Sequence, residues 1–289
     1  MQVYSIETGK FKLDGGAMFG VVPKTIWNKL NPADENNMCS WSLRCLLIQD
    51  GPKLILIDNG MGNKQDAKFF GHYYLHGNDT LDKSLDKLGF CKDDITDVIL
   101  THLHFDHCGG SIENINGKFV PAFKNAIYWS NEQHWQWATK PNEREKASFL
   151  KENILPIQVS GQLQFIKSPM NSLQENGLLG NTKFNEHISL RFVNGHTNSM
   201  MLPQFFYKGK TMVYMADLLP SVAHIPLPYV MGYDMFPLTT LNEKKSFLQE
   251  AVDNNYVLFF EHDAINECCT VQQTERGIRQ KELFCLKEM

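Results

Sequence analysis

The sequence predicts a mixed α/β (α+β) protein in which several buried strands end at one edge of a sheet sandwich. Short apolar runs of strand length alternate with segments in which apolar residues recur at helical spacing. Five of the apolar runs are followed within a few residues by an aspartate or a histidine, and they end at Ile57, Leu100, Val193, Met215 and Phe260. Polar groups that follow apolar strands tend to meet at one edge of a sheet, so we expect these side chains to lie close together.

The individual elements follow from local signals. Strands are predicted where short apolar runs are bounded by turn residues, at 3–6, 43–48, 54–57, 98–100, 126–129, 189–193, 211–215 and 257–260. Helices are predicted where apolar residues recur at helical spacing, at 78–89, from Ser130 to Pro141, at 143–153, and after a capping box formed by Thr240 and Glu243. Loops or hairpins are predicted where glycine, proline and polar residues cluster, at 15–23, 31–40, 160–187 and 218–234, and a terminal hairpin is predicted around Gly277.

The segment after the strand at 98–100 carries the strongest chemical signal. It reads Thr-His-Leu-His-Phe-Asp-His-Cys-Gly-Gly from Thr101 to Gly110. His102 and His104 project the same way from an extended chain and can chelate one ion. Asp106 and His107 follow once the chain has begun to turn, which indicates a second ion beside the first. Histidines that cluster by chance are the alternative, but this spacing followed by two glycines rarely arises without a metal.

Three later strands end at further candidate ligands. The strands at 189–193, 211–215 and 257–260 precede His196, Asp217 and His262. Asp58 follows the strand at 54–57, where it could accept a hydrogen bond from a metal-bound imidazole or cap the adjacent glycine turn. Imidazole suits zinc, whereas carboxylates also accept iron or manganese, so the donors indicate divalent metal ions, with zinc first.

A proline-rich loop after Asp217 is a candidate substrate wall. Pro220, Pro226 and Pro228 forbid a regular helix in it. His224 and Tyr233 are polar groups that the loop could present to a substrate, and packing inside the protein is the alternative for each of them.

The net charge, the apolar runs and the cysteine spacing of the chain disfavour several classes of function. The net charge of −4 provides no basic field for a nucleic-acid backbone, so we expect a small-molecule substrate and no nucleic acid. The chain has no signal-peptide pattern at Met1 and no apolar run of membrane-spanning length, which predicts a cytoplasmic protein without a membrane partner. Seven cysteines without CxxC spacing disfavour disulfides and a thiolate zinc site. Cys108 is therefore interpreted as a wall residue of the motif rather than a ligand or nucleophile.

The length of 289 residues favours one domain over 1–289. Residues 1–40, which include Met18 and Phe19, could overhang a pocket or contact a partner subunit in a homodimer. Packing into the protein's own core is an equal alternative for these two side chains.

With these residues placed, the chain resembles the metallo-β-lactamase-fold hydrolases from about Leu43 to His262. The resemblance implies a four-layer αββα sandwich with two metal ions at one edge. It also implies that His102, His104 and His196 hold one ion, that Asp106, His107 and His262 hold the other, that Asp217 bridges them, and that Asp58 lies behind a histidine ligand.

Within that superfamily the chain looks most like the branch of N-acyl-homoserine lactonases and methyl parathion hydrolase, on the segment His-Leu-His-Phe-Asp-His-Cys-Gly-Gly. It departs from the branch at Pro220, where lactonases often have a tyrosine, and at 198–200, which read Asn-Ser-Met.

The resemblance implies a hydrolase in which an activated hydroxide attacks a lactone or ester-like carbonyl. Asp106 and Asp217 belong to this catalytic centre, and the other metal ion, or an acid such as His224 or Tyr233, would assist the leaving alkoxide. The alternatives are a phosphotriesterase with the same centre, a thioesterase of the glyoxalase II kind, and an iron redox enzyme of the flavodiiron kind, which usually has Glu where this chain has His104. A binding protein with a vestigial site is the non-enzymatic alternative.

Overall fold

The computed structural model describes residues 1–169 and 180–289. The chain divides into two compact units. The first consists of Met1–Lys10 and Leu43–Ser168, and the second of Phe11–Ser42 and Pro169–Met289. The single domain over 1–289, with its extension at 1–40, stays a prediction. Among the described residues, no helix is both long enough and apolar enough to cross a membrane.

Within the described ranges, the strands form two large sheets and one small hairpin. The strands are β1 (Gln2–Asp14), β2 (Met38–Asp50), β3 (Lys53–Ile57), β4 (Asp97–Ile99), β5 (Ile112–Ile115), β6 (Lys118–Pro121), β7 (Ile127–Asn131), β8 (Leu163–Ile166), β9 (Thr182–Lys183), β10 (Ile188–Val193), β11 (Met200–Tyr207), β12 (Lys210–Tyr214), β13 (Val257–Phe259), β14 (Cys268–Thr274) and β15 (Gly277–Phe284). One sheet has the order β1-β2-β3-β4-β7-β8, the other has the order β15-β14-β13-β12-β11-β10-β9, and β5 pairs with β6.

The helices are mostly short. They are α1 (Gly15–Phe19), α2 (Lys24–Trp27), α3 (Ala67–Tyr73), α4 (Leu81–Asp86), α5 (Phe105–Cys108), α6 (Glu132–Thr139), α7 (Lys151–Val159) and α8 (Pro237–Asp253). Single 3₁₀ turns lie at Lys92–Asp94, Gly109–Ser111, Val222–His224 and Leu286–Glu288.

In the first unit, a parallel strand pair positions the motif. β3 and β4 run parallel with Ile57 opposite Ile99, so the residues that follow both strands emerge side by side. The backbone N–H of Asp58 donates to the carbonyl of Ile99 at 3.0 Å. The unit's core contains buried aliphatic side chains of both strands, among them Leu56 and Val98. Burying these side chains stabilises the strands and thereby fixes where the residues beyond them lie.

In the second unit, a parallel strand pair positions two further candidate ligands. β12 and β13 are in register with Tyr214 opposite Phe259, and the backbone N–H of Met215 donates to the Phe259 carbonyl at 2.9 Å. Asp217 and His262 therefore follow adjacent strand ends. His196 follows β10, which pairs antiparallel with β11. Candidate ligands thus follow the carboxyl ends of strands in both units, as the sequence predicted.

The predicted strands and the terminal hairpin are confirmed. The predicted helix at 78–89 is confirmed over a shorter range, Leu81–Asp86, with Thr80 as its cap. The prediction for 160–187 falls partly outside the described residues, which resume at 180.

Three local predictions were wrong. Gly15–Phe19 is a helix rather than a loop, because the side chain of Asp14 caps it by accepting from the N–H of Ala17 at 2.7 Å. The helix predicted at 143–153 begins only at Lys151. The long helix α8 begins at Pro237, so Glu243 lies inside it and does not form the predicted capping box.

Candidate metal centre

The four candidate ligands in the segment 101–110 form two pairs, His102 with His104 and Asp106 with His107. The ring atoms His102 Nε2 and His104 Nδ1 lie 3.0 Å apart. Helix α5 begins directly after His104 and turns the chain. Asp106 and His107 therefore project from a helical turn, with Asp106 Oδ2 3.8 Å from His107 Nε2. The two pairs belong to separate groups of residues that could hold a metal ion. All four side chains are buried.

Protein partners fix the protonation of His102 and His104. The hydroxyl of Thr101 donates to Asp58 Oδ2 at 2.7 Å, so its oxygen accepts the Nδ1–H of His102 at 3.0 Å. The carboxylate of Glu145 accepts from His104 Nε2 at 3.0 Å. His102 Nε2 and His104 Nδ1 are then two lone pairs that face each other. Such a pair is repulsive unless a cation lies against both nitrogens, and a metal ion fits that requirement.

His107 is held in the same way. Its Nδ1 donates to Asp58 Oδ2 at 3.1 Å, which leaves Nε2 available as a ligand. Asp58 also accepts from the backbone N–H of Thr101 at 2.8 Å. Its backbone has a φ of 55°, a conformation that costs free energy in a residue other than glycine and is common at functional sites. Asp58 thus lies against the imidazole of His107, one of the candidate ligands, and its role behind a metal ligand stays a prediction.

The later candidate ligands, His196, Asp217 and His262, face one another within the second unit. His196 Nδ1 donates to Asp234 Oδ1 at 2.9 Å, and His262 Nδ1 donates to the carbonyl of Ser42 at 2.8 Å. Both Nε2 atoms therefore point their lone pairs at the carboxylate of Asp217, at 3.1 Å from His196 and 3.2 Å from His262. These atoms again form an arrangement of acceptors only, which favours a bound cation.

The pKa of His196 also favours a cation at this position. Burial disfavours a charge on this ring, but Asp217 and then Asp234 outweigh burial and raise the pKa of His196 to about 10. The negative potential beside Asp217 therefore favours a positive charge at this position. In the absence of metal that charge is a proton, and a metal ion competes with the proton for the same nitrogen.

The glycines that end the motif allow the backbone to pack closely. A Cβ at Gly109 would lie 2.1 Å from the carbonyl oxygen of Met61, and one at Gly110 would lie 2.2 Å from that of Asn59. The backbone N–H of Asn59 donates to the carbonyl of His107 at 2.9 Å. The motif loop is thereby held directly against the turn that carries Asp58.

Cys108 lies within the motif but is not activated. Its thiol is buried and donates to the carbonyl of Leu103 at 3.3 Å. Burial raises the pKa of Cys108 to about 12, so the thiolate is not populated near neutral pH. This agrees with the interpretation of Cys108 as a wall residue.

The chain matches a known protein family over most of its length. The family model described as the metallo-beta-lactamase superfamily matches residues 44–262. The chain belongs to the metallo-β-lactamase superfamily. The fold class predicted from the sequence is confirmed, and the superfamily together with its hydrolase structures supports a metal-dependent hydrolase.

Solved structures of the superfamily match most of the chain. A protein described as a probable metal-dependent hydrolase from Staphylococcus aureus has 26% identity and a TM-score of 0.86, covering 100% of this chain and 98% of that one. AidC, a dizinc quorum-quenching lactonase solved in complex with a product, has 21% identity and a TM-score of 0.76, covering 98% and 95%. An N-acyl homoserine lactone hydrolase with N-hexanoyl-L-homoserine at its catalytic metal centre has 19% identity and a TM-score of 0.65, covering 91% and 93%.

His224 differs from the expectation for a proton donor in a superfamily active site. It is buried, with Nδ1 2.8 Å from Ser221 Oγ and Nε2 2.9 Å from the carbonyl oxygen of Met18. Its ring stacks on Phe19 at 4.7 Å between centroids. Burial lowers the pKa of His224 to about 3, so the ring is neutral at pH 7. These contacts favour the packing alternative for His224, and they equally favour core packing for Met18 and Phe19.

Tyr233 is 38% exposed and directly precedes Asp234. Its role as an acid stays a prediction. Sequence reasoning missed Glu145 and Asp234, the carboxylates that hold His104 and His196. Asp234 was noted only as part of a loop, and no local pattern distinguished either residue.

Replacing Asp58 with asparagine is expected to weaken zinc binding about 10–100-fold, the usual effect of losing an outer partner of a metal ligand. Asp58 accepts hydrogen bonds from Thr101 and His107 through both carboxylate oxygens, whereas an amide has one acceptor oxygen. Chelator competition measures the affinity. Asp93→Asn, at an exposed aspartate, is the control. An unchanged affinity in Asp58→Asn would contradict the role assigned to this carboxylate.

Proposed function

We propose that this hydrolase opens lactones, or cleaves related esters of small molecules, at a centre with two divalent metal ions. In this proposal one ion is held by His102, His104 and His196, the other by Asp106, His107 and His262, with Asp217 shared between them. The observation that carries the proposal is the set of lone pairs that face one another, at His102 Nε2 and His104 Nδ1 and around Asp217. Each of these arrangements favours a bound cation, which is a metal ion in this proposal and a proton when the metal is absent.

The donor types support zinc as the metal. The ligands are five histidines and two carboxylates, a set that suits zinc and also accepts iron or manganese. AidC, whose structure matches nearly the full length of this chain, is described as a dizinc enzyme. Zinc is therefore the metal to test first.

The protein's own residues support the chemistry by holding charge and orientation. When bound, two adjacent ions lower the pKa of water from 15.7 to about 7 and polarise a substrate oxygen. Asp106 and Asp217 contribute negative charge that balances the ions. Asp58, Glu145 and Asp234 each accept from one ring nitrogen of a histidine and thereby orient the opposite nitrogen to bind a cation. The exposed Tyr233 is the better candidate to protonate a leaving alkoxide, because His224 uses both nitrogens in packing.

Lactones are the first substrate class because two of the matching structures are lactonases described with the hydrolysed product bound. Phosphotriester hydrolysis is the second candidate, and one observation favours it. This chain has Pro220 where lactonases of the resembling branch often have a tyrosine. A lactonase that lacks this hydroxyl must polarise the carbonyl by other means.

A substrate panel distinguishes these functions. Zinc-loaded protein is assayed with N-acyl-homoserine lactones, simple lactones, aryl esters, thioesters and organophosphate triesters, compared by kcat/KM. The highest kcat/KM with a lactone supports the proposal. The highest value with a phosphotriester supports the second candidate and overturns the first. Iron as the resident metal together with oxygen consumption, and no hydrolysis of any substrate, would indicate a redox enzyme.

A further inference from the structure

Two neighbouring residues of α8 are charged and buried, which is unusual for an amphipathic helix. Glu243 and Lys244 are 3% and 0% exposed, whereas the next residue, Lys245, is exposed. Burying a charge is costly unless hydrogen bonds compensate for the lost water. The partners of these two side chains therefore indicate what the charges do.

The ammonium of Lys244 is surrounded by backbone carbonyls of the proline-rich loop. Its Nζ donates to the carbonyl of Tyr229 at 2.7 Å and to that of Pro226 at 3.2 Å. Prolines lack the N–H that would let a loop hold itself by backbone hydrogen bonds. The side chain of Lys244 supplies donors that Pro226 and Pro228 cannot. Burial lowers the pKa of Lys244 to about 7, and the nearby negative charge of Asp234 opposes that fall.

The loop held by Lys244 leads directly to the partner of a metal ligand. Asp234 follows Tyr229 in this loop, and its Oδ1 accepts from His196 Nδ1 at 2.9 Å. The chain then pairs with the ligand segment itself, because the N–H of Met235 donates to the carbonyl of His196 at 3.0 Å. The position of Asp234 thus depends on how firmly the loop is held.

Glu243 holds the other side of the same ligand. Its carboxylate accepts from the N–H groups of Asn194 at 2.7 Å and Gly195 at 3.0 Å, immediately before His196. Adjacent residues of one helix therefore contact both segments that orient the imidazole. Glu243 holds the end of β10, and Lys244 holds the loop that brings Asp234.

We propose that Lys244 is a positioning residue for the metal centre, which orients His196 by fixing the loop that carries Asp234. The proposal rests on the metal centre described under Proposed function. The hydrogen bonds of Lys244 go to loop carbonyls and not to His196, so its effect passes through Asp234. Removing its charge should loosen Asp234, allow the ring of His196 to turn, and weaken the binding of metal.

The test compares Lys244→Met with the matched control Lys245→Met, which removes the neighbouring charge at an exposed site. Zinc affinity is measured by chelator competition, and melting temperatures are measured with and without zinc. We expect Lys244→Met to bind zinc about tenfold more weakly than wild type, the lower end of the effect of outer partners, and Lys245→Met to bind as wild type does. The melting temperature of Lys244→Met should fall more in the zinc-loaded protein than in the metal-free protein.

A double-mutant cycle with Asp234→Asn tests whether Lys244 acts on His196 through Asp234. If Lys244 acts through Asp234, adding Lys244→Met to Asp234→Asn should change zinc affinity by less than about twofold. If Lys244→Met lowered zinc affinity a further tenfold in the Asp234→Asn protein, Lys244 would act independently of Asp234, and the proposal would be overturned. An equal fall in the melting temperatures of both forms, with unchanged affinity, would show a purely structural lysine and also overturn it.

If Lys244→Met does not fold, Lys244→Gln replaces it in the same cycle, since an amide keeps a donor for the carbonyls without the charge. The zinc affinity of the wild-type protein distinguishes a failure of the proposed metal centre from a failure of the role proposed for Lys244. A wild-type protein that binds no zinc overturns the metal centre and with it the proposed function. A wild-type protein that binds zinc no more tightly than the Lys244 variant overturns this inference alone.

Discussion

Asp217→Asn is expected to lower kcat/KM for the best substrate by at least about 10³-fold, since outer partners of metal ligands alone account for about 10–100-fold. The carboxylate of Asp217 lies close to two imidazole nitrogens, 3.1 Å from His196 Nε2 and 3.2 Å from His262 Nε2. Asparagine keeps the shape but removes the negative charge, and its NH₂ group cannot bind a cation. The measurement is kcat/KM together with zinc content per chain.

The control for this variant is Asp253→Asn, at an exposed aspartate at the end of α8. It makes the same chemical change away from the ligands and should leave kcat/KM as in wild type. Circular dichroism establishes that both variants are folded. If folded Asp217→Asn kept wild-type kcat/KM and zinc content, Asp217 would not be a shared ligand, and the two-ion arrangement would be wrong.

Removing metal is expected to abolish hydrolysis and to lower the melting temperature. Without a cation the lone pairs of His102 and His104 face each other at 3.0 Å, so the folded state loses a stabilising interaction. Zinc at a free concentration of 100 times Kd would stabilise the protein by about 2.7 kcal/mol, which corresponds to about 5–10 °C in a domain of this size. The measurements are activity and melting temperature after dialysis against a chelator.

Reconstitution provides the control for metal removal. Zinc added back should restore both activity and melting temperature, and the restored protein should contain two ions per chain, whereas magnesium should restore neither because imidazole ligands disfavour it. Full activity in protein that elemental analysis shows to be metal-free would exclude a metal-dependent hydrolase. Restoration with a single ion per chain would exclude the dinuclear centre but not the hydrolase.

The sequence indicated candidate ligands because four of them follow a strand within a few residues, namely His102, His196, Asp217 and His262. Their role as metal ligands stays a prediction. His102 and Asp58 come after β4 and β3, and the parallel register of these strands brings the two together. Apolar patterns reveal strands, and the strand ends then determine where the next few residues emerge. Side chains that follow strands in sequence could therefore be assigned to the site without knowledge of the remaining chain.

Unlike Asp58, the outer partners Glu145 and Asp234 could not be predicted in the same way. Glu145 reaches His104 from a turn between α6 and α7, and Asp234 reaches His196 from the proline-rich loop. Neither position follows a strand or belongs to a recognisable motif. Their roles depend on tertiary contacts between segments distant in sequence, and local patterns carry no information about such contacts.

The misassigned elements show the same limit. Gly15–Phe19 has two glycines at its start, which disfavour a helix by intrinsic propensity. The cap by Asp14 and the burial of Met18 and Phe19 outweigh that propensity. Glu243 stands three residues after Thr240, as a capping box requires, yet its carboxylate accepts from Asn194 and Gly195 instead. A local cap together with burial decided the first case, and tertiary hydrogen bonds decided the second.

The close packing of Gly109 and Gly110 against Asn59 and Met61 has a consequence for anyone who wishes to re-engineer this enzyme. With their carbonyls about one bond length too near for any side chain, these two positions tolerate neither randomisation nor inserted residues. Libraries that seek new substrates are better directed at the exposed side chain of Tyr233 alone, with Asp234 kept unchanged. Such variation leaves the close packing of Gly109 and Gly110 untouched.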